Sequence, residues 1–495
     1  MQKLLEGSLL CRVFAAVGLW FRAQWQLSRV IGRFLAPGGG EQASEHSVIS
    51  RAWRAFHRGL AAGFEALRLN KLLRGSILTM PYVWCFGALV LAPVLPTMAV
   101  AAIVVASVAS LLIAFGCDRG RRLSYFSANK YIFLYAFIYI VATLTSITVS
   151  GSLMGGALTT FFVLFAIVIL NSVTTRRQFD ALIYAFVVSG AFVSIYGIYQ
   201  YLFGAVGATA WLDSEMFSDI GVRVYSTLEN PNVLAMYLLL VIPFAAASIF
   251  VAKRAVPRLF FTGCLGVMLI CMLLTFARGG WLGLIAAAAI FLIMLDRRFI
   301  IVGIAGLIIL YFMLPDVILS RFLSIGDVGD SSTSYRMSIW LATIEMLRDY
   351  WFTGIGPGTA AFNSVYPLYG FNTVVAPHSH NLYLQIMCDA GISGIVVFLA
   401  ILFTYFRALC SAVSRSTGTA PPARRQPPDS ALKMENTGKD KSSKILQIAA
   451  ISGVGGFLVQ GFTDYSFYNY RVTLVFWAVL GVGALAACRQ ELAIE

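Results

Sequence analysis

Residues 231–251 read PNVLAMYLLLVIPFAAASIFV, a run with no Asp, Glu, Lys, Arg or His. Its length suits the hydrocarbon core of a bilayer, which asks for about 20 apolar residues per helix. The start of the run is marked as well. Asn230 can accept from a free N–H of a first turn, and Pro231 at the first helical position gives up a donor that has no partner there. Working outward, similar apolar segments recur along the chain near 77–93, 97–116, 131–149, 155–171, 181–203, 258–276, 281–295, 299–314, 382–406, 445–463 and 471–488. The pattern predicts an all-α polytopic membrane protein with about 12 transmembrane helices.

Composition points the same way. Charged residues make up 12% of the chain and hydrophobic ones 59%, whereas a soluble domain carries roughly a quarter charged residues. The net charge of +14 raises the question of nucleic acid. The basic residues, however, sit in short segments flanking apolar spans, as the positive-inside rule requires, and this excludes nucleic acid as a partner. The eight Cys have no CxxC or Cys/His ligand spacing, so neither a disulfide framework nor a zinc site is encoded. The N-terminus lacks the charged tip, apolar run and small-residue cleavage site of a signal peptide, which leaves insertion to the first span.

An even number of spans puts both termini on one side, and alternate loops then collect positive charge. Of the 37 Lys and Arg, 31 fall on the cytoplasmic side and six, all Arg, on the other: Arg223, Arg278, Arg321, Arg336, Arg348 and Arg471. This bias sets both termini in the cytoplasm.

Four regions follow. Residues 1–76 form a basic amphipathic extension, with 11 Lys or Arg against four acids and Trp20, Trp25, Trp53 and Phe56 interspersed. It is expected to lie on the anionic cytoplasmic leaflet as one or two helices broken at Ala36–Gly40; a solvated extension is the alternative. Residues 77–314 hold the first nine spans. Residues 315–381 are a large helical extracytoplasmic loop before the tenth span. Residues 382–488 hold the last three, interrupted by a Ser-, Pro- and Lys/Arg-rich stretch, 411–444, that reads as a disordered cytoplasmic linker. In the long loop, Ser334 can cap a helix with Met337, Ile339, Trp340, Ile344 and Leu347 at helical spacing, and Gly354-Ile-Gly-Pro-Gly358 ends the unit in a turn. A long, ordered loop of this kind is a candidate cover for an active site.

The residues able to do chemistry gather on that outer side. Arg278, in Thr275-Phe-Ala-Arg-Gly-Gly-Trp-Leu-Gly283, lies on a tight turn at headgroup depth, where a permanent cation is costly unless used. A helix start follows it, and Gly279 and Gly280 allow close backbone approach, a combination suited to a lipid phosphate; a snorkelling anchor is the alternative. Arg336 opens the external helix, where anions are again favoured, unless it pairs with Glu345, Asp349 or an acid at 327–330. His378 and His380, in Pro377-His-Ser-His-Asn381, are the only His outside the N-terminal region. Imidazole can accept a proton near pH 7, and the competing reading as a His-x-His metal site lacks a carboxylate at ligand spacing. Arg223, Arg471 and Asp464 also face outward, either toward sugar and phosphate or as surface residues.

His380-Asn381, nine residues, then Gly391-Ile-Ser-Gly394 resembles the signature of the O-antigen ligase family in both spacing and identity. The Arg278 turn, the Arg336 helix with Trp340, the Gly354–Gly358 turn and Asn230-Pro-Asn232 resemble further elements of that family in the same order, over about 230 to 394. The resemblance implies a bacterial inner-membrane glycosyltransferase of the cell envelope. Its donor would be a polyprenyl-diphosphate-linked glycan, its acceptor a glycan, lipid or protein, and it would use no metal or other cofactor. It implies that Arg278 and Arg336 hold the diphosphate while His380 takes the acceptor proton in one inverting displacement. His378, Asn381, Asn230, Asn232, Trp340 and Arg223 would contact substrate. The polymerases of the same superfamily share this donor chemistry, and a lipid-glycan flippase or transporter would also carry many spans. The extension 1–76 and the stretch 411–444 have no counterpart in the family's core and leave the acceptor open.

Overall fold

The computed structural model describes residues 48–204, 223–313, 315–324, 331–370, 374, 376–416 and 437–488. The chain divides into two compact units, Met1–Gly59 and Leu60–Glu495. Within the first, the described residues begin helix α1 (Val48–Ala66), where Trp53 packs on Phe56 and His57 beside Arg51, Arg54 and Arg58. The expected break at 36–40 lies outside the described residues.

In the second unit the chain continues through α2 (Leu69–Leu73), α3 (Pro81–Leu91), α4 (Thr97–Cys117), α5 (Asn129–Leu144), α6 (Val149–Ser172), α7 (Arg176–Phe203), α8 (Pro231–Val251), α9 (Ala255–Leu274), α10 (Arg278–Leu295) and α11 (Phe299–Met313). The long loop contributes α12 (Asp316–Leu323), α13 (Ser331–Tyr350) and α14 (Thr359–Val365), after which come α15 (Leu382–Ser416), α16 (Thr437–Gln460) and α17 (Tyr470–Cys488). Among the described residues no strand occurs.

Among the described residues, nine helices are long and apolar enough to cross a bilayer: α4, α6, α7, α8, α9, α10, α15, α16 and α17. Three shorter apolar helices, Pro81–Leu91, Asn129–Leu144 and Phe299–Ile309, coincide with the other three expected spans. Side chains such as Phe137, Phe192, Leu259 and Phe312 stay exposed on the bundle, a wrapping that only a lipid solvent tolerates. The chain is a multi-pass membrane protein. Its centre is α8, packed against α16, with α17 against α6. Helix α8 begins as its sequence predicts: the Asn230 side chain accepts from Asn232 N–H at 2.8 Å and Pro231 opens the helix.

The tenth expected span is not continuous. Ala390 (φ −141°) and Gly391 (φ +62°, ψ −162°) interrupt α15. The freed backbone groups there bond to the turn after α13: Ile355 N–H donates to Cys388 O at 2.7 Å, and Ile392 N–H to Trp351 O at 2.8 Å. A Cβ on Gly391 would collide with the Phe352 carbonyl, so glycine is required by both torsion and space.

The loop has a core of its own, in which Ile339, Ala342, Met346, Ile355, Phe362 and Tyr366 pack with Cys388 of α15. The buried stripe of α13 runs through 339, 342, 343, 346 and 347, while Met337 and Ile344 are exposed. The sequence expectation put those two on the inner face, because it counted Met and Ile as apolar and passed over Ala342 and Thr343. Nor does Ser334 cap α13, which already runs from Ser331. The stretch 411–444 also needs correction at its ends. Helix α15 reaches Ser416 because Leu409, Ala412 and Val413 bury one face, and α16 starts at Thr437; residues 417–436 lie outside the described residues.

Candidate active site

Three loops meet at the end of the bundle where α15 begins. The N-terminus of α15 is stitched to the C-terminus of α16: Leu382 N–H donates to Gly461 O at 2.8 Å, Tyr383 OH to Leu458 O at 2.9 Å, and Asn381 Nδ2 to Phe462 O at 2.9 Å. These bonds carry the turn before α15 to the residues that follow α16. As a result His380 Nδ1 stands 3.2 Å from Asp464 Oδ1, the two being 84 positions apart in sequence.

The His turn is held on every side. His380 has φ +48°, a left-handed conformation rare outside glycine. It persists because Ser379 N–H donates to Gln385 Oε1 at 2.8 Å, Ser379 Oγ to Asn381 O at 2.9 Å, and Trp340 Nε1 to His380 O at 3.3 Å. The His380 N–H donates to His378 Nδ1 at 3.2 Å. A neutral imidazole that accepts at Nδ1 carries its proton on Nε2, and His378 is kept neutral: burial first, then the charges of His380 and Arg336, pull it down to about 3 against the opposing effect of Asp464. Burial would raise the Asp464 carboxyl, but the hydrogen bond and charge of His380, with Arg336 and His378, outweigh it and hold that carboxyl below the usual range. The pair is therefore a carboxylate orienting an imidazole, with His380 partly open to solvent and Asp464 nearly closed off, 20% and 9% exposed.

Four guanidinium groups form a cluster whose Arg223 and Arg336 sense Asp464 of this pair. Arg223, buried before α8, donates from Nε to Thr275 O at 3.0 Å and from Nη2 to Asn232 Oδ1 at 3.3 Å. Arg278, the first residue of α10, donates from Nη1 to Ser324 O at 2.9 Å and to Ser324 Oγ at 3.0 Å. That contact ties α10 to the end of α12, the helix carrying the buried Arg321. Arg336 donates to Ser332 Oγ at 2.9 Å, and its Nε is buried with no hydrogen-bond partner among the described residues. The four sense one another: burial, then Arg321 and Arg336, and further Arg278, lower the Arg223 guanidinium to about 9, with Asp464 partly opposing. Like charges held together at such cost are a common mark of an anion site.

Arg278, Arg336 and His380, far apart in sequence, are thus brought to one place. Other expectations change. Glu345 pairs with Arg348 at 2.8 Å and Asp349 accepts from Tyr369, so neither is shown neutralising Arg336, and the acids at 327–330 lie outside the described residues. Arg471 pairs with Glu229 at 3.0 Å and donates to Thr227 O. The Asn381 side chain is consumed by the fold, its Oδ1 accepting from Tyr383 and Leu384 N–H and its Nδ2 donating to Phe462 O. Asn230 is likewise taken up as the cap of α8. Trp340 acts through the His380 carbonyl. Gly279 and Gly280 do not open space for a ligand. A Cβ at either would meet Thr463 or Ala235, so these glycines let α10 pack closely against α16 and α8. Sequence reasoning gave Arg321 no role and left Asp464 as a generic outward residue. The signal for Arg321 was its membership of the six outer-side Arg.

No curated protein matches the chain. Residues 263–399 match the family model described as O-antigen ligase. The matched stretch contains Arg278, Arg321, Arg336, both His and the break at Gly391, while Arg223 and Asp464 reach the same place from outside it. This multi-pass membrane protein is thus similar to the O-antigen ligase family over residues 263–399.

Proposed function

We propose that the protein is an O-antigen ligase-type glycosyltransferase of the bacterial inner membrane. It transfers a glycan from a polyprenyl diphosphate carrier to an acceptor hydroxyl at the outer face. The observation that carries this reading is the His380–Asp464 pair at 3.2 Å, with Asp464 in turn coupled to Arg223 of the cluster that also holds Arg278, Arg321 and Arg336.

Each part matches a need of the reaction. The acceptor oxygen forms a bond to the anomeric carbon as that carbon's bond to the diphosphate oxygen breaks, with inversion. His380 takes the hydroxyl proton, and Asp464 offsets the charge that appears on the imidazole. The diphosphate leaves with one more negative charge than it had as a diester, and fixed guanidinium groups stabilise that charge where it develops. Products are the glycosylated acceptor, the polyprenyl diphosphate and a proton. Purified protein in lipid, given lipid-linked glycan and acceptor, tests the proposal. Transfer is expected to persist in EDTA and to vanish in His380→Ala; transfer lost in EDTA, or kept in the variant, overturns it.

A further inference from the structure

Beside His378 lies a cavity of about 120 Å³. This is far more than the roughly 15 Å³ that admits one water. Its lining combines the backbone turn at Pro357–Gly358 with polar and aromatic side chains: Thr159 of α6, Gln385 and Asp389 of α15, Tyr465 and Tyr468 of the link before α17, and Tyr470 at its start. None of the lining residues is Lys or Arg. Asp389 is buried in its wall, where Oδ1 accepts from Gln385 Nε2 at 2.9 Å, Oδ2 from Tyr139 OH at 3.4 Å, and the carboxyl also from Tyr465. A carboxylate has about four lone-pair sites, so acceptor capacity is left for a ligand hydroxyl. Tyr468 stacks on His378 with ring centroids 4.7 Å apart, and His378 in turn stands 4.2 Å from His380.

We infer that this cavity binds one neutral sugar ring of the acceptor. The inference rests on the transferase reading of the site and adds to it where the second substrate sits. The cavity holds a buried carboxyl and no cation, so it offers phosphate no partner, whereas sugar hydroxyls can donate to the carboxyl. Tyr faces cover the apolar C–H faces of a pyranose, while the hydroxyls of Thr159 and Tyr470 and the Nε2–H of neutral His378 supply matching polar groups. Position decides between acceptor and donor sugar. An inverting displacement brings the acceptor from the side opposite the departing diphosphate, and this cavity adjoins the His pair without being lined by any of the four Arg.

The test uses full-length protein in lipid nanodiscs and reads thermal stabilisation by two kinds of probe. The first is neutral sugars (methyl glucoside, methyl galactoside and N-acetylglucosamine), and the second is inorganic diphosphate. At least one sugar is expected to stabilise the wild type saturably. Thr159→Trp, which fills the cavity, and Tyr470→Phe should weaken that sugar tenfold or more while diphosphate stabilisation stays within twofold. Arg278→Gln should do the reverse. If Thr159→Trp does not fold, Thr159→Val with Tyr470→Phe carries the comparison. A wild type indifferent to all three sugars, or sugar stabilisation intact in the variants, overturns the inference; so does an equal loss of diphosphate stabilisation, which would assign the cavity to the donor. A wild type that responds to sugar but not to diphosphate counts instead against the proposed function and leaves the sugar site standing.

Discussion

Replacing Asp464 with Asn removes a charge and almost nothing else. The Oδ1 that accepts from Tyr465 N–H at 2.8 Å is retained, so the turn after α16 should keep its shape. What is lost is the carboxylate facing His380 Nδ1 at 3.2 Å. Full unit charges at that separation attract by about 5 kcal/mol at an effective dielectric of about 20. If roughly half a charge has reached the imidazole at the transition state, about 2–3 kcal/mol of stabilisation disappears, or about 10²-fold in rate. An Asn amide that turns its NH₂ toward Nδ1 also selects the wrong tautomer, so the loss is expected between about 10² and 10⁴. The assay is transfer from lipid-linked glycan by purified protein, with kcat and donor KM measured separately. The loss should fall on kcat, with donor KM within about threefold, because the guanidinium cluster is untouched. A variant that keeps kcat within threefold of wild type, while folded by thermal melt, refutes the carboxylate–imidazole reasoning.

Arg321→Gln should raise donor KM or lower kcat/KM by about 10- to 100-fold, the worth of one charged hydrogen bond; Arg348→Gln, which removes only the exposed pair with Glu345, should change neither by more than twofold. His378 predicts a pH dependence of stability. Its folded value near 3 lies below the ordinary value of 6.5, so the unfolded chain takes up a proton that the folded one refuses, and stability should fall as pH drops from about 6.5 toward about 3, by a few kcal/mol in all. Melts at pH 8 and pH 5 should show a smaller acid loss for His378→Gln than for wild type; equal losses would place the sensitivity elsewhere. Gly391→Ala should lower thermal stability by at least about 2 kcal/mol, since φ +62° with ψ −162° is a region nearly closed to other residues, and an unchanged melting temperature would contradict the break in α15.

Much of the fold was legible because a bilayer imposes a simple length rule, and uninterrupted runs such as 231–251 satisfy it visibly. Breaks inside runs were not legible. Gly391 lies within a segment apolar on both sides, and only the backbone of residues 351–355, contributed by the distant loop, turns it from a tolerated glycine into the end of one helix and the start of another. The inner face of α13 was misread for a related reason. Exposed Met337 and Ile344 look like core in a list of residue types, whereas Ala342 and Thr343 earn burial only through what packs on them.

The site divides along the same line. Cation placement was readable from sequence, because a guanidinium on the outer side of a membrane protein runs against the prevailing charge bias and must be held there by something. Four of the six such Arg are coupled through Arg223, which also senses Asp464, and the other two pair with Glu345 and Glu229. The carboxylate partner was not readable. Asp464 is one acid in a short link, and its role exists only because three hydrogen bonds fasten the start of α15 to the end of α16. Charge bias names the residues that bind an anion, and helix-to-helix stitching makes the base beside them. Loosening that stitching should therefore cost turnover more than donor affinity. Tyr383→Phe, which removes the bond to Leu458 O, is expected to lower kcat several-fold with donor KM nearly constant, and a change confined to KM would show that the two parts of the site are not separately built.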